Sequence, residues 1–204
     1  MAVDQVTAEV VPALRAAGIT SVLLKGPAIA QWLYPEGGRY YGDVDLLAAP
    51  TDVVAAEAVL GDLGFHPPSP TRTPQPARAW RRDGHPVAVD LHHSLRHVQA
   101  PPQTVWEVLS ADTVDITVAG TTVAVLGLPG RAFHIALHAA QHGVAEPKPV
   151  EDLHGRRARA RRLRPSGDRP RRRRRVAGNG SGSFPPAPPC LPGGDRWRSP
   201  VVGG

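Results

Sequence analysis

Between Asp4 and Ala17 the apolar residues Val6, Val10, Val11 and Leu14 fall at helical spacing, and Gly18 supplies a stop. Ser21-Val22-Leu23-Leu24-Lys25 is an apolar run of strand length. It leads through Gly26-Pro27 into a helical stretch from Ala28 to Leu33, where proline suits the first turn. Turn residues Pro35 to Gly38 separate this unit from Tyr41-Gly42-Asp43-Val44-Asp45-Leu46-Leu47, which alternates as a strand does. Thr51 stands as an N-cap before an Ala/Val/Leu-rich helix to Leu63, closed by Gly64. Five prolines between Pro67 and Pro76 forbid regular structure there.

Ala77–Arg82 and Pro86–Leu91 then flank Asp83-Gly84, a short-range hairpin signal. A short helix is predicted from Gln103 to Leu109. Val114–Val118 and Thr122–Leu126 flank Ala119-Gly120 as a second hairpin, and Pro129 opens a last helix that runs through His142. About six strands with helices early and late predict an α+β fold, a small mixed, mostly antiparallel sheet flanked by helices.

These signals stop near residue 150. Residues 1–150 carry 10 basic and 14 acidic side chains, whereas residues 151–204 carry 14 and 4, so the overall charge of +6 belongs to the second segment. The chain is accordingly read as a domain over residues 1–150 and a basic, Pro/Gly-rich disordered tail over residues 151–204, which lacks the apolar surface to offset ordering. Two readings of that tail stand side by side. Its arginines, Arg171 to Arg175 above all, suit a nucleic acid or other polyanion. Its Arg, Pro, Gly and Ala excess from an abrupt start is also what a GC-rich gene yields in a shifted frame.

The totals narrow the class further. No stretch approaches the ~18–20 apolar residues of a membrane span, and the N-terminus lacks the basic flank of a signal peptide. With the lone Cys190 unable to form an internal disulfide, a cytoplasmic location without membrane contact is expected. Oligomeric state is not legible.

The candidate chemistry lies in the acids. Asp43 and Asp45 are one residue apart on a predicted strand, so their side chains project from the same side. Two carboxylates that close repel unless a cation lies between them, and oxygen-only ligation suits Mg²⁺ or Mn²⁺. Asp90 lies among apolar residues in the strand Val87–Leu91, where an unpaired charge is costly. It is the candidate third metal ligand and the group to assist deprotonation of an attacking hydroxyl. Alone, an Asp-x-Asp on a strand is usually solvated, and Gly26 is an ordinary turn glycine.

In order, Leu23-Leu24-Lys25-Gly26-Pro27-Ala28, Leu33-Tyr34-Pro35, Gly38-Arg39-Tyr40-Tyr41-Gly42-Asp43-Val44-Asp45-Leu46-Leu47, Leu63-Gly64-Phe65 and Val89-Asp90-Leu91-His92 resemble the uncharacterised nucleotidyltransferase family of the DNA polymerase β-like superfamily. The similarity covers residues 15 to about 145. It implies metal-dependent transfer of a nucleoside monophosphate from an NTP, such as ATP, to a hydroxyl acceptor. It also implies Asp43, Asp45 and Asp90 as catalytic metal ligands and Gly26 at the phosphate turn. Lys25 and Arg39 would add positive charge at the nucleotide, and His92 would help position substrate. Where the superfamily commonly has Ser or Gly after the turn glycine, this chain has Pro27, which lacks an N–H donor. A nucleotide-binding or regulatory module without turnover is the alternative from that departure.

His134, His138 and His142 recur every four residues and share a helix face. That spacing can bind zinc, but no Glu follows the first in a metalloprotease pattern, and packing at a domain edge is the plainer reading.

Overall fold

The first helix, α1 (Ala2–Ala16), buries the stripe that its sequence lays down: Val3, Val6, Val10, Val11 and Leu14 are all inside. Gly18 follows at φ +78°, the left-handed conformation that ends a helix most cheaply at glycine. In this computed structural model the described residues are 2–67, 75–142 and 150–152. All of them lie within the unit Met1–Pro165.

Strand β1 (Ser21–Leu23) leads through Gly26 into α2 (Pro27–Leu33), and β2 (Asp43–Ala48) follows. Pro27 is the first residue of α2. A single 3-10 turn, Pro50–Asp52, precedes α3 (Val53–Asp62). The N-cap expected at Thr51 is therefore corrected: Asp52 is the cap residue and makes no side-chain cap bond. Thr51 sits inside the 3-10 turn that Pro50 opens, and its hydroxyl is spent on Asp52 Oδ1 at 3.2 Å rather than on a helix amide.

Beyond the proline-rich stretch, whose residues 68–74 lie outside the described ones, come β3 (Ala77–Trp80) and β4 (Ala88–His92), then α4 (Pro102–Ser110). Strands β5 (Thr113–Val118) and β6 (Thr121–Leu126) and helix α5 (Leu128–His142) complete the order. The strands form one six-stranded sheet in the order β3-β4-β2-β1-β6-β5. Pairings β1–β2, β3–β4 and β5–β6 are antiparallel; β1–β6 and β2–β4 are parallel. This is the mixed, mostly antiparallel α+β sheet that the hydrophobic pattern predicts.

The pleat sorts the core into two layers. Leu23, Val44, Leu46, Val89 and Leu91 pack on one face with α1 and with Ala56 and Leu60 of α3. Val22, Leu24, Leu47 and Leu126 pack on the other with Leu95 and with Val105 and Leu109 of α4. Ile135 of α5 meets Ile29 and Leu33 of α2 in a third cluster. Each fully buried Leu or Val contributes about 1.5–3 kcal/mol relative to exposure, so register along β2 is strongly specified. That register decides where the polar residues go. With Val44 and Leu46 committed to the α1/α3 face, Asp43 and Asp45 must share the opposite face with Leu47.

The reading of residues 151–204 as a separate tail falls outside the described residues except at Glu151 and Asp152, and Asp152 is buried.

Candidate active site

Parallel pairing of β2 with β4 sets Asp45 directly opposite Asp90 and Leu47 opposite His92. Because Val89 and Leu91 point to the α1/α3 layer, Asp90 and His92 emerge on the same face as Asp45. The outcome is a compact group: Asp45, Asp90 and His92 each offer a ligand atom, and these three atoms lie within 4.8 Å of one another. Asp43 is not within that group. It starts β2, half-buried, two residues before Asp45, and its charge is felt at Asp90.

Asp45 is the centre of the arrangement, only 1% exposed. Lys25 Nζ donates to its Oδ1 at 2.7 Å, and His92 Nε2 lies 3.3 Å from the same oxygen. Burial pushes the Asp45 carboxyl up, but the hydrogen bond from His92 and the charge of Lys25 outweigh it and hold the group well below the usual carboxylate range. Its other oxygen, Oδ2, is buried without a hydrogen-bond partner. Asp90 differs in kind. Burial first, and the neighbouring Asp45 charge second, push its carboxyl up.

The donor set fits a divalent cation. A buried ionised carboxylate with one oxygen unused is costly unless a cation or donor meets it, and two acids sharing a site repel. Asp45 Oδ2 and the Asp90 carboxyl are hard oxygen donors of the type Mg²⁺ and Mn²⁺ take, with His92 beside them.

Gly26 adopts φ +59° and ψ −120°, outside the conformations open to L side chains. A Cβ there would meet the Tyr41 ring at 3.5 Å. The Tyr41 hydroxyl donates to Asp4 Oδ1 at 2.8 Å, which fastens the stretch before Asp43 to α1. Lys25, read from the sequence as a charge for the nucleotide, is found on Asp45. Arg39, read the same way, makes a buried two-point ion pair with Asp152. For Asp152, 113 positions away, the sequence carries no signal.

The histidine stripe splits. His134 is buried and stacks on His138 with ring centroids 6.5 Å apart, while the side chain of His142 lies outside the described residues. Burial, and then the charge of Lys25, push His134 down to about 3, so it is a neutral packing residue behind the site. Among the described residues the histidines of α5 join no metal-ligating group. No helix among them is long and apolar enough to cross a membrane.

Over residues 2–176 the sequence matches the family model of the uncharacterised nucleotidyltransferases. The chain belongs to that family. Nucleotidyl transfer is thus its class of activity. The match continues past residue 150, into the segment that composition alone sets apart.

Solved structures agree on the fold of this nucleotidyltransferase. The antibiotic-resistance factor ANT(2'')-Ia in solution is similar with a TM-score of 0.56 at 14% identity, covering 78% of this chain and 86% of that one. Its crystal complex with adenylyl-2''-tobramycin gives 0.55 at 13% identity, over 77% and 88%. An antigenic nucleotidyltransferase-like protein from Paracoccidioides brasiliensis gives 0.52 at 18%, over 75% and 74%. No curated protein matches the sequence.

Proposed function

We propose that this nucleotidyltransferase moves a nucleoside monophosphate from an NTP to the hydroxyl of a small acceptor, assisted by Mg²⁺ or Mn²⁺. The observation that carries the reading is the pairing of Asp45 with Asp90 across β2 and β4, with Asp45 Oδ2 buried and unpartnered. Asp45 and Asp90 would hold the cation, with Asp43 at the start of β2 as the further carboxylate. Such a cation, when bound, supplies charge stabilisation at the phosphoryl oxygens.

The remaining chemistry belongs to the chain's own residues. A bond forms between the acceptor oxygen and the α-phosphorus, the bond from that phosphorus to the pyrophosphate oxygen breaks, and the hydroxyl proton passes to a carboxylate. Asp90 suits that last role because its surroundings favour the protonated form more than those of Asp45 do. The Gly26 turn lets backbone approach the phosphates closely, and Pro27 leaves that turn one N–H fewer. Lys25, 22% exposed and bonded to Asp45, brings positive charge to the same place. His92 orients Asp45 through their shared contact.

A small acceptor is favoured because the similar fold of ANT(2'')-Ia was crystallised with adenylyl-2''-tobramycin. The test is incubation of the full chain with each NTP, Mg²⁺ or Mn²⁺ and a panel of hydroxylated small molecules that includes aminoglycosides. Pyrophosphate release and acceptor mass are the readouts. The expected result is a nucleotide-sized mass gain that requires the cation and vanishes in Asp45→Asn; pyrophosphate release that survives this substitution would refute the assignment.

A further inference from the structure

Arg39 and Asp152 make the most buried ion pair among the described residues, with side chains 6% and 4% exposed. Arg39 Nε donates to Asp152 Oδ1 at 2.8 Å and Nη2 donates to Oδ2 at 2.6 Å. Two parallel bonds of this kind fix the plane of a guanidinium. The Tyr34 phenol lies beside the pair, pushed up to about 12 by burial and then by the Asp152 charge. The fork leaves one end undirected: Arg39 Nη1 is buried and has no hydrogen-bond partner. A buried donor left so is costly, and replacing such a pair with apolar side chains is often neutral or stabilising, so packing alone gives little reason for it.

Its position supplies a reason. Arg39 precedes Asp43 by four residues, on the same stretch whose Tyr41 ring packs over the Gly26 turn. Arg39 therefore sits on the segment that packs against the Gly26 turn.

We propose that Asp152 is a positioning residue for nucleotide binding: it grips two edges of Arg39 and so holds the segment from Arg39 to Asp43 against the Gly26 turn, where the phosphates of the nucleoside triphosphate bind. The inference rests on the NTP-transfer reading above. It assigns to a residue beyond α5 a part in a site otherwise built from β1, β2 and β4.

The test uses the full chain and steady-state pyrophosphate release with each Mg·NTP. Asp152→Asn keeps the shape of the side chain but loses the charge that holds the fork. It is expected to raise the KM for the NTP about 10-fold with kcat nearly unchanged, the sign of lost uniform binding. Arg39→Lys should do the same, and the double variant should be no worse than either single one, since both remove one contact. Asp152→Glu should recover most of the affinity. A purely structural pair would instead lower thermal stability with KM unmoved, and that result would overturn the proposal, as would additive losses in the double variant. Should Asp152→Asn not fold, Arg39→Lys keeps the charge pair and carries the same KM test. Wild-type protein that releases no pyrophosphate, or does so equally as Asp45→Asn, would overturn the transfer reading and this inference together; a normal Asp45 dependence with an unmoved Asp152→Asn KM would overturn this inference alone.

Discussion

Asp45 and Asp90 stand directly opposite each other on parallel neighbouring strands, and the two carboxylates differ sharply in their surroundings. Asp45 is met by Lys25 and His92, whereas Asp90 is half-buried against the Asp45 charge. In the metal-free protein this arrangement costs stability. Asp90→Asn removes the repulsion while keeping the shape, so in EDTA at neutral pH it should be more stable than wild type by on the order of 1 kcal/mol. Nucleotidyl transfer in Mg²⁺ should fall by 100-fold or more, on the order of what loss of a positioned acid–base group costs. Urea unfolding beside a pyrophosphate assay checks both; an Asp90→Asn protein less stable than wild type in EDTA would contradict the account.

The opposite sign is expected one strand away. Asp45→Asn leaves Lys25 without its carboxylate partner and should destabilise the protein by about 1–3 kcal/mol, the scale of a lost charge-assisted hydrogen bond. Denaturant midpoints measured with constant slope would establish it.

His134 sets a pH dependence. Its pKa is near 6.5 in the unfolded chain and is pushed down to about 3 by burial in the fold. A lowered folded-state value means that the unfolded chain binds the proton first. The His134 contribution is therefore complete above about pH 6.5 and is lost progressively as pH falls toward 3, at a limiting slope of about 1.4 kcal/mol per pH unit. Other groups titrate in the same range, so the measurement is the difference between wild type and His134→Gln. The stability of the wild type should fall relative to the variant between pH 6 and 4, and a pH-independent difference would exclude a neutral buried imidazole.

Gly26→Ala should cost about 1–3 kcal/mol of stability, because φ +59° with ψ −120° is strained for any residue bearing a Cβ. The steric part is small, since the nearest atom to that Cβ, in the Tyr41 ring, would be at an ordinary 3.5 Å. Thermal melts of Gly26→Ala and Gly26→Ser should therefore agree closely; a much larger loss for serine would point to crowding instead.

Away from the site, the β5–β6 hairpin offers a stabilising change. Ala119 and Gly120 have φ +46° and +82°, the pattern of a two-residue turn that favours Asn-Gly. Ala119→Asn should raise stability by about 0.5–1 kcal/mol and leave transfer activity unaltered, which a melting curve and one activity assay would show.

The elements themselves were readable because each is specified locally. The Val6-Val10-Leu14 stripe, the alternation from Tyr41 to Leu47 and the Asp83-Gly84 and Ala119-Gly120 turns encode period and reversal within a few residues. Thr51 misled because a cap depends on where Pro50 starts the turn, a matter of one residue of backbone geometry. The common face of Asp43 and Asp45 followed from the pleat alone, and the candidacy of Asp90 from the cost of a charge in an apolar strand.

What the sequence determined by itself, then, is the set of elements, the sheet class and the acids worth watching, since these depend on short-range periodicity and on residue chemistry. Only the tertiary structure decided which partners those side chains have. The β2–β4 register put Asp90 against Asp45 and brought His92 into the group, Lys25 turned to Asp45, and Arg39 found Asp152 across 113 positions of chain. Such contacts are fixed by strand pairing and by the need to satisfy buried charge, and both are properties of the folded chain as a whole that no local window of sequence contains.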